Sequence, residues 1–148
     1  MCLSLIVLKD MISDDNSKIL NTARQGFEYF SQGLATGSWD DFLSMLTDDF
    51  TFSFPVEPFK ENNIGKENAA RFFNYVSQKV FTEGLFLTVE RVTSNENTVV
   101  FEVQSSGLMF GHPYQNQAAI SFDVRGDRIC GYREYLSVIY QVSKPKSK

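Results

Sequence analysis

A chain of 148 residues is the length of one domain, and a domain of that size buries roughly 70% of the surface its unfolded form exposes, so it holds a core without disulfides or metal. The net charge is -4 and the basic residues are scattered apart from a short run near the C-terminal end, which leaves no stripe to neutralise a phosphate backbone and excludes nucleic acid as the expected partner. Two cysteines, Cys2 and Cys130, make no disulfide framework, and a single histidine removes zinc sites built on several His or Cys ligands. The expected compartment is therefore reducing and cytoplasmic.

The opening run Leu3 to Leu8 is apolar but far short of the roughly 20 residues that span a bilayer. It also lacks the basic flank and small-residue cleavage site of a secretory signal. Residues 1–14 are read as an N-terminal extension, 15–142 as a single domain and 143–148 as a basic flexible tail that does not anchor the chain to a membrane. From Lys18, the positions Ile19, Leu20, Ala23, Phe27, Phe30 and Leu34 recur at helical spacing, and Gly37 follows where a left-handed helix end favours glycine. Ser38 is the expected N-cap of a short second helix, with Trp39, Phe42, Leu43 and Leu46 on its apolar face and Asp48-Asp49 closing it. Phe50, Phe52 and Phe54 alternate with Thr51 and Ser53 as in a half-buried strand, until Pro55 ends it. After a loop with Pro58 and Asn62, Gly65 precedes a third helix that carries Ala69, Phe72, Phe73, Val76 and Val80.

Beyond Gly84 the period changes to that of strands. Leu85, Leu87 and Val89 alternate with polar residues, Asn95 to Asn97 supply a turn, and Thr98 to Ser106 resumes as the second arm of a hairpin. A connection from Gly107 to Pro113 leads to a strand over Tyr114–Val124. The turn Arg125-Gly126-Asp127 then leads into a last strand expected to reach Val142. Helices first and a long meander afterwards predict an α+β fold, with three N-terminal helices on one face of a curved antiparallel sheet. Cofactor signatures are missing: the chain has no Gly-rich phosphate loop, no nucleophile elbow and no ligand cluster.

This order of elements resembles the nuclear transport factor 2-like superfamily, and within it the SnoaL-like branch, over almost the whole chain. The likeness is carried by Gly37-Ser38-Trp39-Asp40, Leu46-Thr47-Asp48-Asp49-Phe50, Gly111-His112-Pro113-Tyr114-Gln115-Asn116 and the stretch Arg128 to Tyr135. The resemblance implies a cystatin-like cone with one apolar pocket, a hydrophobic small molecule as ligand, and a two-fold homodimer through the outer sheet face. It does not name an activity, because the superfamily holds isomerases, hydrolases, cyclases and dehydratases beside non-catalytic domains. Phe54, Phe30 and Ile120 occupy the positions where the steroid isomerases resemble this chain but use a carboxylate, a tyrosine and a protonated carboxyl, so that chemistry is excluded. The epoxide hydrolases of this fold hold a water with an Arg and two acids. Glu134 matches one acid, whereas Val103 and Ser105 stand at the other two positions.

Alternation with Glu134 turned inward places Cys130, Tyr132, Leu136 and Val138 on the same inner face. The strand before it turns Tyr114, Asn116, Ala118, Ile120 and Phe122 inward, and the strand before that turns Val99, Phe101, Val103 and Ser105. A Glu on an apolar face is expected to be paired or protonated, which makes Glu134 the first acid-base candidate. His112 is the second, as a proton shuttle at the cavity mouth. Tyr114, Asn116, Tyr132, Phe54, Phe101 and Ile120 are the candidate ligand-binding residues. Two readings follow. One is a cofactor-independent isomerase, lyase or cyclase that uses a buried carboxylate of raised pKa. The other is a non-catalytic ligand-binding or dimeric assembly domain, its interior filled by Phe52, Phe54, Phe72, Phe101 and Phe122.

Overall fold

The computed structural model describes residues 2–138 and 143, with side chains from residue 16 onward. Helix α1 (Cys2–Thr36) is followed by the short α2 (Asp40–Ser44), strand β1 (Leu46–Ser53), the two-residue β2 (Asn63–Ile64) and α3 (Lys66–Tyr75), which runs into a π-helical turn (Val76–Val80). Strands β3 (Leu85–Asn95), β4 (Thr98–Met109), β5 (His112–Arg125) and β6 (Arg128–Leu136) complete the chain. The α+β cone is as expected. A curved six-stranded sheet in the order β2-β1-β6-β5-β4-β3 carries the helices on its concave face. One pairing departs from the expected antiparallel pattern: β1 lies parallel to β6.

Helix α1 begins at Cys2 rather than Lys18. No proline or glycine interrupts 2–25, so the backbone of the expected extension continues the core helix. The helix ends as its sequence demands, with Gly37 at φ 81° and its N–H donating to the Gly33 carbonyl at 2.7 Å. Ser38 does not cap α2. Trp39 takes the N-cap position without a side-chain hydrogen bond, and the Ser38 N–H instead donates to Thr36 Oγ1 at 3.2 Å. Nor do Asp48 and Asp49 close α2. They lie in β1, which starts at Leu46 because fully buried Leu46 pairs with Ile129 and Asp49 accepts two bonds from Arg125 Nη1, at 3.0 and 3.1 Å.

The expected connection from Gly107 to Pro113 shrinks to a tight turn at Phe110-Gly111, with φ of 50° and 82°. Gly107 pairs with Tyr114, Leu108 with Pro113 and Met109 with His112. Gly107 stays in the strand because the Gly84 carbonyl oxygen approaches so closely that a Cβ there would lie 2.6 Å from it. In β6, a one-residue bulge at Cys130 lets Val124 pair with Ile129 and Asp123 with Gly131. Ile129 therefore faces the core and Cys130 does not, contrary to strict alternation. The strand ends at Leu136, and Val138, expected inward, is exposed. The rest of the last strand expected to reach Val142, and all of the basic tail except residue 143, lie outside the described residues.

The core is aromatic. Phe30, 1% exposed, meets the rings of Phe27, Trp39, Phe42, Phe73, Phe122 and Tyr132 at centroid distances of 5.5–6.2 Å. Trp39 is held in place on three sides. It stacks on Phe73 at 4.7 Å, donates its indole N–H to Ser77 Oγ at 2.9 Å, and packs against Gly33 so closely that a Cβ there would collide with the indole ring. Gly33→Ala is therefore expected to destabilise the protein by about 2 kcal/mol through overpacking, although alanine is the better helix former by about 1 kcal/mol. Urea unfolding checks this, and an unchanged or raised midpoint would show that the indole yields.

Candidate functional site

The inner sheet face changes size along its length. On β4 the inward residues run Val99, Phe101, Val103, Ser105, and on β5 they run Phe122, Ile120, Ala118. Phenylalanines fill the middle of the cone, where Phe101 stacks on Phe27 at 4.3 Å and packs against Phe122 at 5.9 Å. Toward the β4–β5 turn the shorter side chains leave a cavity of about 500 Å³, within the size range of small-molecule sites. The helical side closes it with Leu34, Phe72 and the π-helical turn, whose Val76 and Val80 line the wall and whose Val76 carbonyl accepts the Phe81 N–H at 2.8 Å. The loop at Val56–Phe59 and the turn residues Met109 and Phe110 contribute to the rim.

Glu134 sits in this cavity wall, opposite Ile120 in the β5–β6 ladder. Its Oε1 accepts the Tyr132 hydroxyl at 2.9 Å, and among the described residues no cation pairs with it. Burial pushes its carboxyl up from 4.5 to about 7, against the smaller opposing pull of the Tyr132 hydrogen bond. Tyr132, 2% exposed, is itself raised well above the ordinary phenol range by burial and by the neighbouring charge, so it remains a donor. Glu134 is thus a half-occupied proton carrier near neutral pH, the condition for general acid-base work.

The same burial makes Glu134 a liability when ionised. Between pH 4.5 and about 7 the native state keeps a proton that the unfolded state has lost, so stability falls as pH rises across that window and is level above it. The loss amounts to about 3 kcal/mol. Glu134→Gln does not titrate, so its unfolding free energy is expected to gain on the wild type between pH 5 and pH 8. Paired urea melts at the two values check this, and parallel behaviour of the two proteins would contradict it.

The other sequence-predicted residues divide. Tyr114, Tyr132, Phe54 and Ile120 line the cavity with Glu134. Asn116 does not line it but donates through Nδ2 to the Tyr114 hydroxyl at 3.0 Å. Phe101 is in the core, with its far side on a smaller groove of about 330 Å³ between α1 and β3. His112 is exposed at the start of β5 and contributes nothing to the cavity wall, because the tight turn leaves no connection long enough to fold it inward. Phe30, Val103 and Ser105 also face the cavity. The small residues Ser105 and Ala118, which make the space, were missed as site residues. The shrinking side chains along two adjacent strands were the available signal.

The outer sheet face is polar. Arg133 donates to both carboxylate oxygens of Asp123 and to Ser121 Oγ, which holds the Asp123 carboxyl below its ordinary range. Arg91 pairs with Glu102 at 3.0 Å beside it. Tyr135 and Phe86 stand exposed on that face. Among the described residues, no group of three or more His, Cys, Asp or Glu could hold a metal ion, and no helix is long and apolar enough to cross a membrane.

Comparison with known proteins agrees with this architecture. Residues 27–132 match the SnoaL-like domain family. An NTF2-like protein from Anabaena variabilis is 56% identical over 82% of this chain and 91% of its own, with a TM-score of 0.79. An epoxide hydrolase of the LEH-like kind from M. tuberculosis shares the fold at 19% identity, over 79% of this chain and 84% of its own, with a TM-score of 0.63. A candidate SnoaL-like polyketide cyclase from Jannaschia shares it at 19% identity, over 76% and 85%, with a TM-score of 0.62. Among curated proteins none matches the chain. The matched domain and the Anabaena relative show that this chain belongs to the SnoaL-like family within the NTF2-like proteins.

Proposed function

We propose that the chain is a cofactor-independent isomerase, lyase or cyclase acting on a hydrophobic small molecule through one half-buried carboxyl group, that of Glu134. The observation that carries this reading is the placement of a carboxyl with a pKa of about 7, free of any described cation, in the wall of an otherwise largely apolar 500 Å³ cavity. A carboxylate there abstracts a proton from carbon, and the acid it becomes returns that proton to another position or to a leaving oxygen. Tyr132 fixes one carboxyl oxygen and leaves the other for the substrate. The test is incubation of apolar enolisable ketones with the protein in D₂O, with NMR reading deuterium uptake on carbon. Uptake that depends on Glu134 is expected, and a rate equal to that of Glu134→Gln would overturn the reading.

A second reading has its own support. Among the described residues the cavity is lined by one other carboxyl, that of exposed Glu57 on the rim loop, and by no Arg or Lys. A binding domain would use the same cavity as a store, with Glu134 as a neutral hydrogen-bonding anchor. Tight binding of an apolar ligand without turnover or deuterium uptake would favour it.

A further inference from the structure

The hydrogen bonds around Asn116 determine which way round its amide sits, and through it what Tyr114 offers the cavity. Asn116 Oδ1 accepts the Gln117 backbone N–H at 2.8 Å and also the Ser137 hydroxyl. A backbone N–H only donates, so the amide oxygen must face it, because a flipped amide would set two donors against each other. Nδ2 is then left to point at Tyr114, where it donates to the hydroxyl oxygen at 3.0 Å. With its oxygen engaged as an acceptor, Tyr114 has its own proton left over, and among the described residues that proton meets no acceptor. Tyr114 lines the cavity. Tyr114 is half-buried, so its phenol proton, with no acceptor among the described residues, is available to a ligand at the cavity wall.

The geometry points to Tyr114 as the ligand's hydrogen-bond donor, held in that role by Asn116, and to a ligand that carries a carbonyl-type acceptor oxygen at one end of an elongated apolar body. The inference rests on the cavity being a small-molecule site, as proposed above, and adds the class of molecule. The length follows from the ladder. The Tyr114 hydroxyl lies beside Asn116, while Glu134 stands opposite Ile120 on the same strand. Four residues of strand separate those levels by roughly 13 Å. The acceptor group and the proton-transfer centre of one ligand are therefore remote from each other, joined by an apolar span that the Leu87, Val103 and Ala118 stretch of wall accommodates. Asn116 acts through Tyr114 and is a positioning residue.

The test uses two probes of equal shape, 4-acetylbiphenyl with a ¹³C-labelled carbonyl and 4-ethylbiphenyl. They are titrated into wild type, Tyr114→Phe and Asn116→Asp, and the carbonyl stretch is read by infrared spectroscopy. The Asp variant keeps the acceptor for the Gln117 N–H but replaces the amide donor by a second acceptor, which takes the tyrosine proton. Wild type is expected to prefer the ketone by about fivefold, the gain from one net hydrogen bond, with the stretch moved to lower wavenumber than in hexane. Both variants are expected to lose the preference for the ketone over 4-ethylbiphenyl and to show the stretch of a free carbonyl. A merely structural tyrosine would leave the stretch unmoved in Asn116→Asp, and that variant carries the test if Tyr114→Phe does not fold. Preference and shifted stretch surviving in both variants would overturn the inference. Equal binding of the two probes by wild type with a free carbonyl would overturn it too while leaving the cavity reading intact, whereas failure of wild type to bind either probe would remove that reading and this inference with it.

Discussion

Phe30→Ala is expected to lower the unfolding free energy by about 4 kcal/mol, toward the upper end for buried phenylalanines. The reason is its position rather than its size alone. The ring is 1% exposed and touches rings from α1, α2, α3, β5 and β6, so it ties the helices to the middle of the sheet. It also borders the cavity, so the void left by truncation joins existing space and the rings around it have no free side from which to close in. Equilibrium unfolding in urea measures the effect. A loss below about 1.5 kcal/mol would mean that the neighbouring rings repack, and the core would then be far more plastic than these contacts imply.

Glu134→Gln is expected to reduce proton transfer to carbon by about 10²- to 10⁴-fold, the usual contribution of a positioned general base. Glutamine keeps the shape of the side chain and an oxygen for the Tyr132 hydroxyl, so the fold and the cavity persist while the proton carrier is lost. For deuterium uptake the active form is the carboxylate, so the wild-type rate rises with pH through about 7 and levels off above it. A flat profile from pH 5 to 9, or full activity in the glutamine variant, would remove Glu134 from the chemistry.

The order of elements was legible because their periods differ. Ile19 to Leu34 repeat at helical spacing, and Val99 to Ser105 and Tyr114 to Phe122 alternate, so the inner faces of β4 and β5 follow from periodicity alone. What failed was local geometry set by distant partners. Cys130 was read as inward because alternation does not foresee a bulge, and the bulge is set by the pairing of β6 with β5. The sequence places Gly107 at the head of a connection, yet it lies within β4 and is glycine because the Gly84 carbonyl passes close by. The start of β1 at Leu46 depends on its parallel partner at Ile129, more than 80 residues away in the chain. At the site, Glu134 stood out as a lone acid on an apolar face, and its cavity and Tyr132 partner follow from the same alternation. His112 drew attention only as the single histidine, and residue type without burial carries no geometry.

Proton transfer in the cavity depends above all on the protonation of one carboxyl group, which carbon-detected NMR reads directly. Side-chain carboxyl carbons labelled with ¹³C are followed from pH 4 to 9, with Glu134→Gln identifying the resonance. A midpoint at about 7, well above the ordinary 4.5, is the predicted result. A midpoint near the ordinary 4.5 would contradict the account, since Glu134 would then be hydrated or paired with a cation and would have no proton to give at neutral pH.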